Sequence, residues 1–430
     1  MPPFVSRLAV VALVGSLTSC SLLPGDDDPD VERDRTGAGP VGDSRAITDE
    51  DLDAVEDLLE VRAAALVSGQ RRRFMATLDP GNPALRRKQR VLFDNLQKLP
   101  IDKLYYGLDV SRSRTRVGTD VDARFSPRVY EHLELGTVFT RPVSNRVSMR
   151  FVQRDGRWLV AGERFDEDDA PQERPWFGGP IEAALGDDVL VVTDEGADVG
   201  AEELLDSTLD ALAETAAVLD EPDDQALLVD ATTNGRPVRL SRASGQDAGA
   251  VTFTVLATDR EGDDVEGPAG TVVKANPEYV TQLVDDDRTL RHELVHVLLA
   301  EYGETNPLWV TEGIAEYVAY QPLLLARSVA TDDRLVEAID DRRVALTSAD
   351  DWGKDPELDY LSAQAFAEYL ISRSGLVTYR EMMDLFDERG RRRDVSRGRG
   401  LVPGVLREVY GLTPAEVAEG GFELLRGLDR

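Results

Sequence analysis

Two of the chain's three histidines, His292 and His296, stand four positions apart in "LRHELVHVLLA" (Leu290 to Ala300), with Glu293 directly after the first. Residues four apart share one face of an α-helix, so both imidazoles can offer a nitrogen to a single metal ion. Glu293 is then placed to take a proton from the water that such a metal activates. The chemistry this spacing suits is peptide-bond hydrolysis with Zn2+ as cofactor, His292 and His296 as ligands and Glu293 as general base. Catalytic zinc needs a third protein ligand and one open position. His132 lies far away along the chain, so a carboxylate is expected to complete the set. "NPLWVTEGIAEYVAY" (Asn306 to Tyr320) supplies two candidates on one helix face, Glu312 and Glu316.

Within that stretch, "LWVTEGIAEY" resembles the "LWLNEGFAEY"-type segment of the gluzincin peptidases, the clan of aminopeptidase N and thermolysin. The resemblance implies that Glu312 is the third metal ligand and that Glu316 orients a ligand imidazole. A developing oxyanion needs one donor besides the metal, and with the histidines used a tyrosine is expected. "LDYLSAQAFAEYLISRSG" (Leu358 to Gly375) is similar to a helix that follows the zinc site in related peptidases and offers Tyr360; Tyr317 and Tyr320 compete for the role. Two departures stand out. The gap between His296 and Glu312 is a few residues shorter than in the two named relatives. The Gly-x-Met-Glu-Asn motif with which aminopeptidase N enzymes capture a free amine is missing, and "GPAGTVVKANPEYV" occupies that region. Thr271–Ala275 within it reads as an edge strand able to take an extended peptide by strand addition.

These residues need a frame. Leu290, Leu294, Val297 and Leu298 give the histidine segment an apolar stripe, and acidic residues with Thr289 suit its N-terminus. Pro307 suits the start of the next helix. Upstream, "DVLVVTD" (Asp188 to Asp194), "ALLVDA", "VTFTVLAT" and "GTVVKAN" (Gly270 to Asn276) read as strands, with a long helix over "AEELLDSTLDALAETAAVLDE". Downstream, almost everything reads as helix, including the helix, turn and helix of "LREVYGLTPAEVAEGG". A mixed sheet followed by a mostly helical half is an α+β arrangement, zincin-like by the resemblance, over residues 176–430.

Residues 47–165 form a separate block. Thr48 is a plausible N-cap for a helix with Leu52, Val55, Leu58, Leu59 and Leu66 at helical spacing, and a second helix surrounds "RVLFDNL" (Arg90 to Leu96). "RVSMRFVQRDGRWLVAGERF" (Arg146 to Phe165) reads as a hairpin turning at Asp155-Gly156. Helices followed by an antiparallel sheet resemble the cone-shaped nuclear-transport-factor-2-like (SnoaL-like) fold. His132 reads here as a lone surface histidine.

The N-terminus carries an address. Arg7 precedes the apolar run Leu8 to Leu17, which is too short to span a bilayer and ends in "LTSC". This resembles a bacterial lipobox. It implies a signal peptide over 1–19, acylation of Cys20, and attachment to the lipid bilayer on the extracytoplasmic face of a bacterial cell membrane. Cys20 is the chain's only cysteine, so no intrachain disulfide is possible. Residues 20–46, rich in Asp, Gly and Pro, read as a flexible tether, and 166–175 as a linker. With 81 acidic against 49 basic residues, the formal charge is −32, and no basic field exists to hold nucleic acid. The expectation is a membrane-anchored zinc metallopeptidase acting on a peptide or protein substrate. Its competitor is a non-catalytic lipoprotein binding or scaffold module on a peptidase-like fold.

Overall fold

Helix α1 (Asp49–Val67) begins with a reciprocal capping box, in which the Asp51 amide donates to Thr48 Oγ1 and the Thr48 amide donates to Asp51 Oδ2. It opens the part of the chain that the computed structural model describes: residues 47–109, 116–117, 123–136, 138–139, 141–165, 174–233, 248–260, 265–303, 305–321, 355–391 and 401–427. Cys20, the signal segment, the tether and most of the expected linker lie outside these residues. The protein is α+β, with two sheets. It divides into two units, one of residues 47–180 with 255–269, the other of 181–254 with 270–427.

In the first unit, α1, α2 (Arg71–Ala76) and α3 (Pro83–Leu96) precede strands β1 (Ile101–Asp109), β2 (Arg116–Val117), β3 (Ala123–Phe125), β4 (Arg128–Leu135), β5 (Val143–Arg154) and β6 (Arg157–Phe165). The order is β1-β4-β5-β3-β2, with β6 paired to β5. Asp155 and Gly156 both take positive φ, which lets a two-residue loop join β5 to β6 with the hand that their twist demands. Inside, Arg62 donates to Glu163 (2.7 Å) and Gln89, and Arg174 pairs with Glu131. Arg174 and Trp176 are both buried, and Asn95 Nδ2 donates to the carbonyls of Trp176 and Gly179. The unit therefore runs on to Pro180, past the linker end at 175 and the domain start at 176 drawn from the sequence.

His132 corrects another expectation. It is fully buried, because Thr258 and Arg260, from far along the chain, lie against the face of β4 that alternation assigns to water. The Arg260 carbonyl can only accept, so Nε2 (3.2 Å) carries the proton of the neutral ring and donates to it, and Nδ1 accepts from Ser144 Oγ (2.8 Å). Tyr105 stacks on the ring, and Gly107 is required because a Cβ there would meet the Arg260 oxygen at 1.6 Å.

The second unit holds strands β7 (Ile181–Gly186), β8 (Val189–Asp194), β9 (Leu227–Ala231), β10 (Ala250–Thr258) and β11 (Val265–Ala275) in the order β10-β11-β9-β8-β7; the distal parts of β10 and β11 count with the first unit. β7 and β8 are antiparallel, whereas β8, β9 and β11 run parallel, with α4 (Ala201–Leu219) as the crossover from β8 to β9. The edge strands are β10 and β7. Thr271–Ala275 lies between β10 and β9, so the edge position expected for it is wrong: strand order in a mixed sheet is not written in local periodicity. Lys274 and Asp230, partners across β11 and β9, form a buried ion pair at 2.8 Å.

After β11 come α5 (Val280–Asp285), α6 (Arg288–Leu298), α7 (Leu308–Ala319), α8 (Pro356–Arg391, broken at Gly375), α9 (Leu401–Val409) and α10 (Pro414–Gly427). α6 sits between two cores. Leu290, Leu294 and Val297 join the sheet and α4, while Val295 joins Trp309, Ile314 and Phe366 of the helical half. Among the described residues no helix is long and apolar enough to cross a membrane.

Candidate metal centre

With apolar contacts on two sides of α6, its third face turns His292 and His296 toward α7. Arg291 ties the two helices together: its guanidinium donates to the carbonyls of Val318 (2.9 Å), in the last turn of α7, and Gln321 (3.2 Å), just past it. On the other side α7 packs closely on α8. Gly313, next to Glu312, has no room for a side chain, since a Cβ would stand 2.6 Å from the Ala363 carbonyl oxygen and 3.0 Å from the Ala367 Cβ. Tyr379 fixes the same contact by donating to the Val310 carbonyl (2.9 Å).

The outcome is a convergence of three buried side chains. His292 Nε2 lies 3.1 Å from His296 Nε2 and 3.3 Å from Glu312 Oε2, and His296 Nε2 lies 3.5 Å from that oxygen. Metal bonds of about 2.0–2.1 Å at tetrahedral angles separate neighbouring ligand atoms by about 3.3 Å, which this triangle matches on all three edges. Among the described residues this is the one group of three or more His, Cys, Asp or Glu side chains placed to share an ion. The donor set also fits chemically. Glu312 is fully buried, and its Oε2 faces the two imidazoles, so a cation held between the three would balance its charge.

Glu316, also buried, places Oε1 3.0 Å from His292 Nδ1, the nitrogen pointing away from the cluster. Burial alone would favour neutral His292, but Glu312 and Glu316 outweigh it and push the imidazole up to about 10. Burial would likewise raise Glu312; the two imidazoles outweigh it and hold the carboxyl below its ordinary value. Glu293 is raised, because its complete burial is only partly offset by His292, His296 and the Thr252 hydroxyl.

Of the three tyrosines, Tyr360 stands nearest in kind to its expected role. Buried at the start of α8, its ring lies 6.0 Å from that of His292, centroid to centroid, edge to face. Tyr320 stacks under Arg288 instead, and Tyr317 is only half-buried on α7. A cleft of about 460 Å3, counting its open mouth, lies beside His296 and is bordered by Thr252, Thr254, Ala300, Ile314 and Met383. Thr252 is the site residue that the sequence reading missed. It lies 40 positions before His292 on β10, and a threonine in an alternating strand carries no signal of its own.

Set against known proteins, the chain matches no family model and no curated relative.

Proposed function

We propose that the chain is a zinc-dependent peptidase of gluzincin type, with Cys20 acylated and the protein held on the extracytoplasmic face of a bacterial cell membrane. The observation that carries this reading is the convergence of the buried Glu312 carboxylate with two imidazole nitrogens, which lie 3.3 and 3.5 Å from Oε2. His292, His296 and Glu312 would hold the zinc, which supplies Lewis-acid polarisation of a water and of the scissile carbonyl. Two imidazoles with one carboxylate suit zinc among divalent ions.

The chain's own groups supply the rest. Glu293 Oε1, buried and without a hydrogen-bond partner among the described residues, accepts the proton of the attacking water and passes it to the leaving amine. Glu316 Oε1, 3.0 Å from His292 Nδ1, would take that nitrogen's proton as a hydrogen bond and so fix the ring with Nε2 toward the ion. Tyr360 is the candidate donor to the developing oxyanion. The cleft beside His296 receives a substrate side chain, and β10, one of the sheet's two edge strands, is where an extended peptide adds a strand.

The architecture supports the same reading at the level of fold. A mixed sheet with a free edge, then a histidine-bearing helix, then a helical half is what a zincin-like domain requires. Three helices ahead of an antiparallel sheet support a SnoaL-like reading of the first unit. The test is cleavage of a blocked peptide library by zinc-loaded wild type and Glu293→Gln. Cleavage by the wild type that is abolished in Glu293→Gln, with zinc retained in both, supports a peptidase. Equal, near-zero turnover of both sinks it and favours a scaffold.

A further inference from the structure

Glu293 has two carboxylate oxygens, and the fold treats them differently. Oε2 lies 2.7 Å from Thr252 Oγ1, while Oε1 is buried with no hydrogen-bond partner among the described residues. Thr252 is itself buried on β10, so neither end of this contact is exchanging with bulk water. The same hydroxyl stands 3.1 Å from the Glu293 backbone carbonyl, but it has one proton to give. The shorter partner is a carboxylate, and a hydrogen bond to an ionised acceptor is the stronger of the two.

Resting on the peptidase reading, we infer that Thr252 is a positioning residue that clamps the general base. Its hydroxyl donates to Glu293 Oε2, fixes the rotation of the carboxylate, and leaves Oε1 as the oxygen that takes the proton from water. Threonine suits the task for two reasons. Its β-branched side chain holds a narrow range of χ1 in a strand, so the hydroxyl is aimed before substrate arrives. It also stands on an edge strand, so the element offered to the substrate backbone carries the clamp. A carboxylate free to rotate would spend part of its time with neither oxygen aimed at the water, and misplacement on the order of 1 Å costs up to about a hundredfold in rate.

The experiment uses the full-length, zinc-loaded protein and one blocked peptide that the wild type cleaves. Thr252→Val keeps the shape and removes the donor; Thr252→Ser keeps the donor. Clamping requires kcat to fall about ten- to a hundredfold in Thr252→Val while KM stays put, with most of kcat recovered in Thr252→Ser. Zinc content and the thermal midpoint of the metal-free protein should match the wild type in both variants. Unchanged kcat in Thr252→Val overturns the clamp and leaves the peptidase reading intact. Loss of zinc or of thermal stability in Thr252→Val, in step with the lost rate, assigns Thr252 to packing and also overturns it. A wild type that holds zinc and cleaves nothing removes the peptidase reading, and the clamp with it.

Discussion

Glu316 Oε1 lies 3.0 Å from Nδ1 of His292, while Nε2 of the same ring lies 3.3 Å from Glu312 Oε2. One imidazole is thus held between two carboxylates on consecutive turns of α7. The pair raises its affinity for a proton, to about 10, against the opposing effect of burial. At neutral pH the metal-free ring is therefore charged, and a metal must displace that proton to gain the lone pair. Titration calorimetry in buffers of different ionisation enthalpy should report release of about one proton per zinc. Glu316→Gln should release fewer and bind zinc about ten- to a hundredfold more weakly. Equal proton release and equal affinity in both proteins would show that Glu316 does not act on the ring.

Gly313 sets how closely α7 approaches α8, and with it where Glu312 stands. Gly313→Val drives a side chain into the Ala363 carbonyl and should cost about 1–3 kcal/mol of stability. Because α7 must shift to relieve the clash, bound zinc should fall in the same variant. Denaturant unfolding and elemental analysis check the two effects, and a stable variant with full zinc would contradict the link.

The site was legible in the sequence where helical periodicity alone decides geometry. His292 with His296, and Glu312 with Glu316, are each four apart, and a helix puts such pairs on one face whatever surrounds it. The turns and caps were legible for the same local reason, as at Thr48 and Asp155-Gly156. What could not be read depends on contacts between segments distant in the chain. β10 rather than Thr271–Ala275 forms the edge on that side of the sheet because β11 inserts beside β9, a choice that no strand's own pattern records. His132 is buried by a segment more than a hundred residues downstream, and Thr252 meets Glu293 only through the packing of β10 on α6.

The buried state of His132 has a pH signature. Burial holds its imidazole below the ordinary value despite the opposing bond to the Arg260 carbonyl. Above about pH 7 the ring is neutral whether folded or unfolded, so it contributes no pH dependence. As pH falls through about 6.5, the unfolded chain takes up a proton that the folded ring refuses, and stability drops until the folded value is passed. The opening free energy of β1 and β4 amides, taken from hydrogen exchange after correction for the intrinsic rate at each pH, should therefore fall between about pH 7 and pH 5. His132→Gln should flatten that profile; an identical slope in the variant would place the effect elsewhere.

Beside His296, no acidic, lysine or arginine side chain among the described residues borders the cleft, in a chain of formal charge −32. Desolvating a charged substrate residue there gains no compensating partner, so uncharged side chains should be preferred by about tenfold or more in kcat/KM. Ala300 is exposed at the border, and Ala300→Lys should relieve the discrimination against aspartate and glutamate without changing zinc content. Competition assays with blocked peptides differing at one position decide this, and indifference to charge in the wild type would rule the cleft out as a selecting subsite.

Elemental analysis of the purified protein, after loading with zinc and exhaustive dialysis, goes to the centre of the matter. One zinc per chain is expected in the wild type and in Glu293→Gln, and close to none in His292→Ala, His296→Ala and Glu312→Ala. A wild type that retains no zinc, or ligand variants that retain as much as the wild type, would contradict a metal centre built from these three side chains.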